Sequence, residues 1–99
     1  LMRHMLATAV VRNEYRNRIA AVTHIDGTSR PQIVDNESSP SIKRLLEEYY
    51  TMTALPCLIN TSMNIKGQPI CERPLDAINL LMSLNEKAAI FIDGIFATN

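Results

Sequence analysis

The sequence predicts a mixed α/β domain of the α+β kind, one sheet covered by at least two helices, and its changing hydrophobic period carries that prediction. The first third holds β-branched, apolar runs of strand type. Two later stretches repeat apolar residues at helical spacing, and the chain closes on short apolar runs around an Asp-Gly dipeptide.

In chain order, residues 4–12 (HMLATAVVR) read as a buried strand, and the polar residues 13–18 as a turn or short helix. A second strand is expected over residues 20–25. Asp26-Gly27 then marks a tight turn, since glycine supplies positive φ without steric cost, and residues 32–34 resume pairing. From Ser39 the period changes. Ser39 stands as an N-cap, Pro40 occupies a first-turn position where a missing N–H costs nothing, and Ile42, Leu45, Leu46 and Tyr49 define one face of a helix running to about Thr53. Tyr49 and Tyr50 should straddle its inner and outer faces.

Pro56 ends the connection, and residues 57–59 form a short strand that delivers the polar run 60–64 to its exit. Pro74 opens a second helix whose inward stripe is expected to be Leu75, Ile78, Leu81 and Met82. Asp76 lies in its first turn, where the positive end of the dipole favours a carboxylate, and Arg73 is a poor cap. The segment from Ala88, with Asp93-Gly94 at its centre, predicts a closing hairpin.

Composition excludes several classes. Over 99 residues, 10 basic side chains balance 10 acidic ones, and 46% of residues are hydrophobic. That balance argues against disorder and against a surface that coats nucleic acid. No apolar run reaches the length of a membrane span and no signal peptide opens the chain, so the expected location is cytoplasmic. Cys57 and Cys71 are too few for a disulfide scaffold and are read as reduced, structural thiols. The Lys43-Arg44 and Glu47-Glu48 pairs have the spacing of helical surface ion pairs. The chain starts at Leu1 directly in strand-like sequence, which reads as an excised piece.

Two segments carry more polar chemistry than turns require: THIDGTSRPQ at 23–32 and INTSMNIKGQPI at 59–70. Each follows an apolar strand, and strand ends are where α/β folds hold ligands. Arg30 offers a planar fork to phosphate oxygens and Lys66 a point charge. Asn60, Thr61, Ser62 and Asn64 add neutral donors, and Gly67 permits close backbone approach. Chemistry there would be phosphoryl or adenylyl transfer, with no metal site needed from these residues. The same residues also suit Asx and Ser/Thr turns that satisfy their own backbone, with Lys66 solvated and His24 hydrogen-bonded structurally; both readings stay open at this level.

In order and separation the two segments resemble the C-terminal domain of the carbamoyltransferases grouped with NodU, CmcH and TobZ. Residues 22–34, VTHIDGTSRPQIV, match a family tract like VTHVDGTARxQTV. Residues 56–77, PCLINTSMNIKGQPICERPLDA, match one like PVLLNTSFNxxGEPIVxTPEDA. The second tract is also similar to the TSANxSG signature of YrdC-type nucleotide-binding domains. Met63 stands for the usual Phe, Gln68 for Glu and Arg73 for a capping Thr.

The resemblance implies the C-terminal part, over residues 1–99, of a YrdC-like domain with a twisted mixed sheet. This domain would bind ATP, with magnesium, and carbamoyl phosphate, and form carbamoyl adenylate. The carbamoyl group would pass to the hydroxyl of a small acceptor, a sugar or antibiotic, in a separate N-terminal domain that carries a metal; no nucleic acid or membrane partner is implied, and a homodimer is left open. It assigns Arg30 and His24 to catalysis, and Arg30, Asn60, Thr61, Ser62, Asn64, Lys66, Asp26 and Gln32 to the nucleotide or carbamoyl phosphate. The family's upstream Lys- and Arg-rich tract, which completes the anion pocket, is absent from the sequence, so isolated catalysis is not expected. The competing functions are a non-catalytic nucleotide-sensing module and a structural or dimerising domain. The threonylcarbamoyl-adenylate synthases fit the HIDGTSR tract less well.

Overall fold

A computed structural model of the chain describes residues 2–99. In order they form a 3-10 turn (Met2–His4), β1 (Ala9–Val10), α1 (Asn13–Arg16), a second 3-10 turn (Ala20–Val22), β2 (Thr28–Ser29), α2 (Pro40–Thr53), α3 (Pro74–Ser83), β3 (Ala89–Ile92) and β4 (Ile95–Thr98). The predicted mixture of helices and strands is therefore present. Both sheets are two-stranded and antiparallel, β1 with β2 and β3 with β4, so the expected single mixed sheet is not formed among the described residues. A parallel neighbour requires a long crossover, whereas an antiparallel one needs only a return of the chain. Two compact units result, one ending at Ile59 and the other running from Asn60 to Asn99.

In the first unit, local hydrogen bonds shorten the expected strands. Met5 adopts a left-handed φ of 57°, which turns the backbone after the first 3-10 turn and leaves only Ala9 and Val10 to pair with Ser29 and Thr28. The strand expected at 20–25 is replaced by the second 3-10 turn. There the Thr23 hydroxyl donates to the Ile19 carbonyl at 2.9 Å, and the Val22 and Thr23 amides donate to Ile19 and Ala20. Such short-range bonds compete directly with a ladder. Residues 32–34 and 57–59 likewise form no strand, the former contributing one bond from Ile33 N–H to the Met2 carbonyl.

The helix expected from Pro40 to Thr53 is realised as α2, with Ser39 in extended backbone at its start. The Ser39 hydroxyl makes no capping bond. The turn before it is instead closed by Asp35 and Ser38, each accepting the other's amide on its side chain. At the far end Ala54 takes a left-handed φ of 56°, and Arg18 Nη2 donates to its carbonyl at 3.0 Å while lying over the Tyr15 ring. A cation at the negative end of a helix is electrostatically favoured. Lys43 pairs with Glu47 along the exposed face. Tyr49 is half-buried and Tyr50 exposed, as the helical spacing predicts, but Ile42 and Leu45 of the expected stripe are exposed.

The second unit contains both buried hydrophobic side chains of the described residues, Ala77 at 3% and Leu81 at 4% exposure. The expected stripe of α3 is thus corrected: Leu81 is buried, but Leu75, Ile78 and Met82 are exposed and Ala77 takes the inner position. α3 packs against β3. β3 and β4 pair over four residues each, Phe91 opposite Phe96 and Ile92 opposite Ile95. Asp93 and Gly94 turn between them at φ of 48° and 78°, the double left-handed geometry of a type I′ hairpin.

Asp76 starts α3. Its Oδ2 accepts the amides of Arg73 at 3.0 Å and Glu72 at 3.2 Å, while the Arg73 side chain makes no cap bond. These N–H donors, Arg73 first and Glu72 second, hold the carboxyl below its ordinary value of 3.8. A depressed folded-state value stabilises the fold fully above the unfolded value, and this support is lost as pH falls through the folded one. Asp76→Ala is therefore expected to lower the melting temperature by several degrees at neutral pH, and the gap to wild type should close under acid. Thermal unfolding by circular dichroism across that range checks it; a gap that persists unchanged in acid would refute the assignment.

Candidate functional site

The first polar segment folds into a loop set between β1 and β2. The Gly27 amide donates to the His24 carbonyl at 2.9 Å, the His24 amide to the Thr28 carbonyl at 2.7 Å, and the Val11 amide to the Gly27 carbonyl at 2.9 Å. Gly27 has a φ of 80°, so the turn expected at Asp26-Gly27 is formed.

Within it Asp26 Oδ1 accepts both the amide and the hydroxyl of Thr28, at 2.9 and 2.6 Å. The side-chain bond from Thr28, then its backbone bond, holds the Asp26 carboxyl below its ordinary value. Because the single Thr28 proton is given to Asp26, the 3.2 Å contact between Thr28 Oγ1 and His24 Nδ1 requires the ring nitrogen to donate. In neutral His24 the exposed edge is then Nε2, an acceptor. Asp26 acts on this loop through Thr28, a residue the sequence analysis did not single out.

Arg30 is exposed at the end of β2, and its guanidinium is tied to the backbone: Nε and Nη2 donate to the Met5 carbonyl at 3.2 and 2.9 Å. Gln32 is exposed just beyond. A second cation, Arg16, also unflagged by sequence, lies against the same loop. Its Nε donates to the Val11 carbonyl at 3.1 Å, and its guanidinium carbon sits 2.6 Å from where a β-carbon on Gly27 would be. A helical surface arginine gives no sequence signal of this placement; only the unusual backbone of Gly27 hints that something approaches it closely.

The second polar segment is organised by Asn64. Its Nδ2 donates to the Ile65 and Gln68 carbonyls at 3.0 and 3.2 Å, and its Oδ1 accepts the Ser62 hydroxyl at 2.6 Å. The Gln68 amide closes the Lys66-Gly67 turn on the Ile65 carbonyl, with Gly67 at φ 81°, and the Cys71 amide donates to the Met63 carbonyl. Asn64 is thus committed to bracing its own loop, while Ser62 keeps both hydroxyl lone pairs. Asn60, Thr61 and Lys66 are exposed beside it. Asn60 and Gln32 engage in interactions within the fold. Arg30 lies in the first compact unit and residues 60–64 in the second.

Among the described residues no helix is long and apolar enough to cross a membrane. Cys57 and Cys71 are unpaired and half-buried.

The described residues thus form an α+β domain that carries two structured polar loops. The family model described as Carbamoyltransferase C-terminus matches residues 2–98. The chain is a member of the carbamoyltransferase C-terminal domain family. An uncharacterised protein of Methanocaldococcus jannaschii is 36% identical over 92 residues, 93% of this chain and 15% of that protein. Nodulation protein NolO of Bradyrhizobium diazoefficiens is 36% identical over 73 residues, 74% of the chain and 13% of that protein. The 3'-hydroxymethylcephem-O-carbamoyltransferase of Streptomyces clavuligerus is 39% identical over 75 residues, 76% of the chain and 14% of that protein. The chain thus spans about one-seventh of the length of these relatives.

Proposed function

We propose that this domain works within a longer O-carbamoyltransferase, as a YrdC-like module that binds ATP and carbamoyl phosphate and promotes formation of carbamoyl adenylate. The carbamoyl group then passes to the hydroxyl of a small acceptor held elsewhere in the protein. The observation that carries this reading is the pair of loops at 23–32 and 59–70, matched in order to one carbamoyltransferase domain family and each preorganised by its own side chains.

In this reading Arg30 neutralises phosphate charge, Thr61, Asn60 and Lys66 offer donors to phosphate oxygens or the carbamoyl group, and Ser62, whose proton goes to Asn64, accepts from the carbamoyl N–H. Asn64 holds the second loop in shape. The Asp26–Thr28–His24 chain fixes the ring so that Nε2 faces outward as an acceptor, suited to a substrate N–H or O–H. Water first cleaves carbamoyl phosphate to carbamate and inorganic phosphate. A carbamate oxygen then attacks the α-phosphorus of ATP, forming an O–P bond as the bond to pyrophosphate breaks, and positioning and charge stabilisation supply most of the rate. In this reading magnesium enters on the nucleotide's phosphates, as oxygen-bound Mg2+ commonly does.

The test is exchange of labelled pyrophosphate into ATP by the longer protein. Exchange that requires carbamoyl phosphate supports the proposal. ATP binding without such exchange would reassign the domain as a nucleotide sensor, and absence of ATP binding would leave both loops as turns in a structural domain.

A further inference from the structure

We propose that Arg16 is a second phosphate-binding cation of the 23–32 loop, working beside Arg30 on a phosphate of ATP or of carbamoyl phosphate. The inference rests on reading that loop as a phosphate site.

Its warrant is how the arginines are spent. Arg3 pairs with Asp35 and Glu37, Arg18 caps α2 and lies over Tyr15, and Arg73 pairs with Asp76. Arg30 gives Nε and Nη2 to the Met5 carbonyl. Arg16 gives only Nε, to Val11, and among the described residues its Nη1 and Nη2 meet no acceptor and no carboxylate. The nearby Asp26 carboxylate is turned to Thr28 instead.

Arg16 is also half-buried and held in place. Its guanidinium packs on the backbone of Gly27, closely enough that all three of its outer atoms, at 2.6 to 2.9 Å, would collide with a β-carbon there. No buried side-chain polar atom lacks a partner among the described residues, so the unpaired Nη edge reaches solvent. A planar fork fixed at one end and open at the other suits phosphate oxygens, and its immobility lowers the entropy lost on binding. Arg12 and Arg44 are exposed and have no comparable brace among the described residues.

The experiment uses the longer protein. Arg16→Gln is expected to raise the KM of one substrate about tenfold or more with kcat nearly unchanged, the signature of lost binding rather than lost chemistry. The substrate affected, ATP or carbamoyl phosphate, identifies which phosphate the fork holds. Arg16→Lys should recover part of that affinity, which a purely packing role would not allow. KM values for both substrates within about twofold of wild type overturn the proposal. Should Arg16→Gln fail to fold, wild-type protein decides: peptide mass spectrometry of Arg16 after phenylglyoxal treatment should show several-fold protection by ATP or carbamoyl phosphate, and no protection by either refutes it. If pyrophosphate exchange is absent while inorganic phosphate still protects Arg16, the carbamoyl-transfer reading falls and the anion site stands.

Discussion

Replacing Arg30 with alanine in the longer protein is expected to lower carbamoyl-phosphate-dependent pyrophosphate exchange by about a hundredfold to a thousandfold, the range found when a preorganised charge-stabilising donor is removed. The geometry explains why a large loss should come without unfolding. Arg30 is exposed, its two bonds run to a single carbonyl, that of Met5, and it forms no ion pair among the described residues. Exposed bonds of this kind contribute little to stability, because water replaces them on unfolding. The same bonds aim the guanidinium, leaving Nη1 available to an anion. Arg30→Lys keeps the charge but loses the planar fork, so it should recover only part of the rate. Variants that fold normally and exchange pyrophosphate within about threefold of wild type would remove Arg30 from the reaction.

What could be read from sequence depended on how local the determinant was. Pro40 and Pro74 mark the true starts of α2 and α3, and Asp93-Gly94 the true hairpin turn, because each is decided within a few residues. The early strands failed where short-range bonds won: the Thr23 hydroxyl on Ile19 and the left-handed Met5 are invisible to a hydrophobic count. At the candidate site, the polar tracts were legible as composition, and the Asp26-Gly27 turn as chemistry. Which polar groups spend themselves on their own loop was not legible. Asn64, expected at the ligand, also braces the 60–70 segment, and no local sequence signal marks Thr28, which orients His24, or Arg16, which packs on Gly27. Periodicity identifies an apolar face on α3 but not which of its residues are buried.

That last difference gives a sharp comparison within one helix. Leu75 and Leu81 share the predicted stripe and the same chemistry, yet Leu75 is 59% exposed and Leu81 only 4%. Leu81→Ala removes a buried side chain of the small core of this unit, and is expected to cost about 2–5 kcal/mol. Leu75→Ala should stay within about 0.5 kcal/mol, as for other surface changes. The loss at Leu81 should spread into the hairpin because Asn99, just past β4, is tied to the same turn. Asn99 Nδ2 donates to the carbonyls of Leu81, Leu84 and Glu86 at 3.3, 3.4 and 2.8 Å, and its Oδ1 accepts the Ala88 amide at 2.9 Å. Once Leu81 no longer anchors the end of α3, these carbonyls and the start of β3 lose their fixed spacing. Denaturant unfolding should show the contrast between the two alanine variants, and amide exchange should accelerate across β3 and β4 in Leu81→Ala alone. Equal destabilisation by both variants would mean that the periodic stripe, not the Ala77–Leu81 contact face, is what α3 buries.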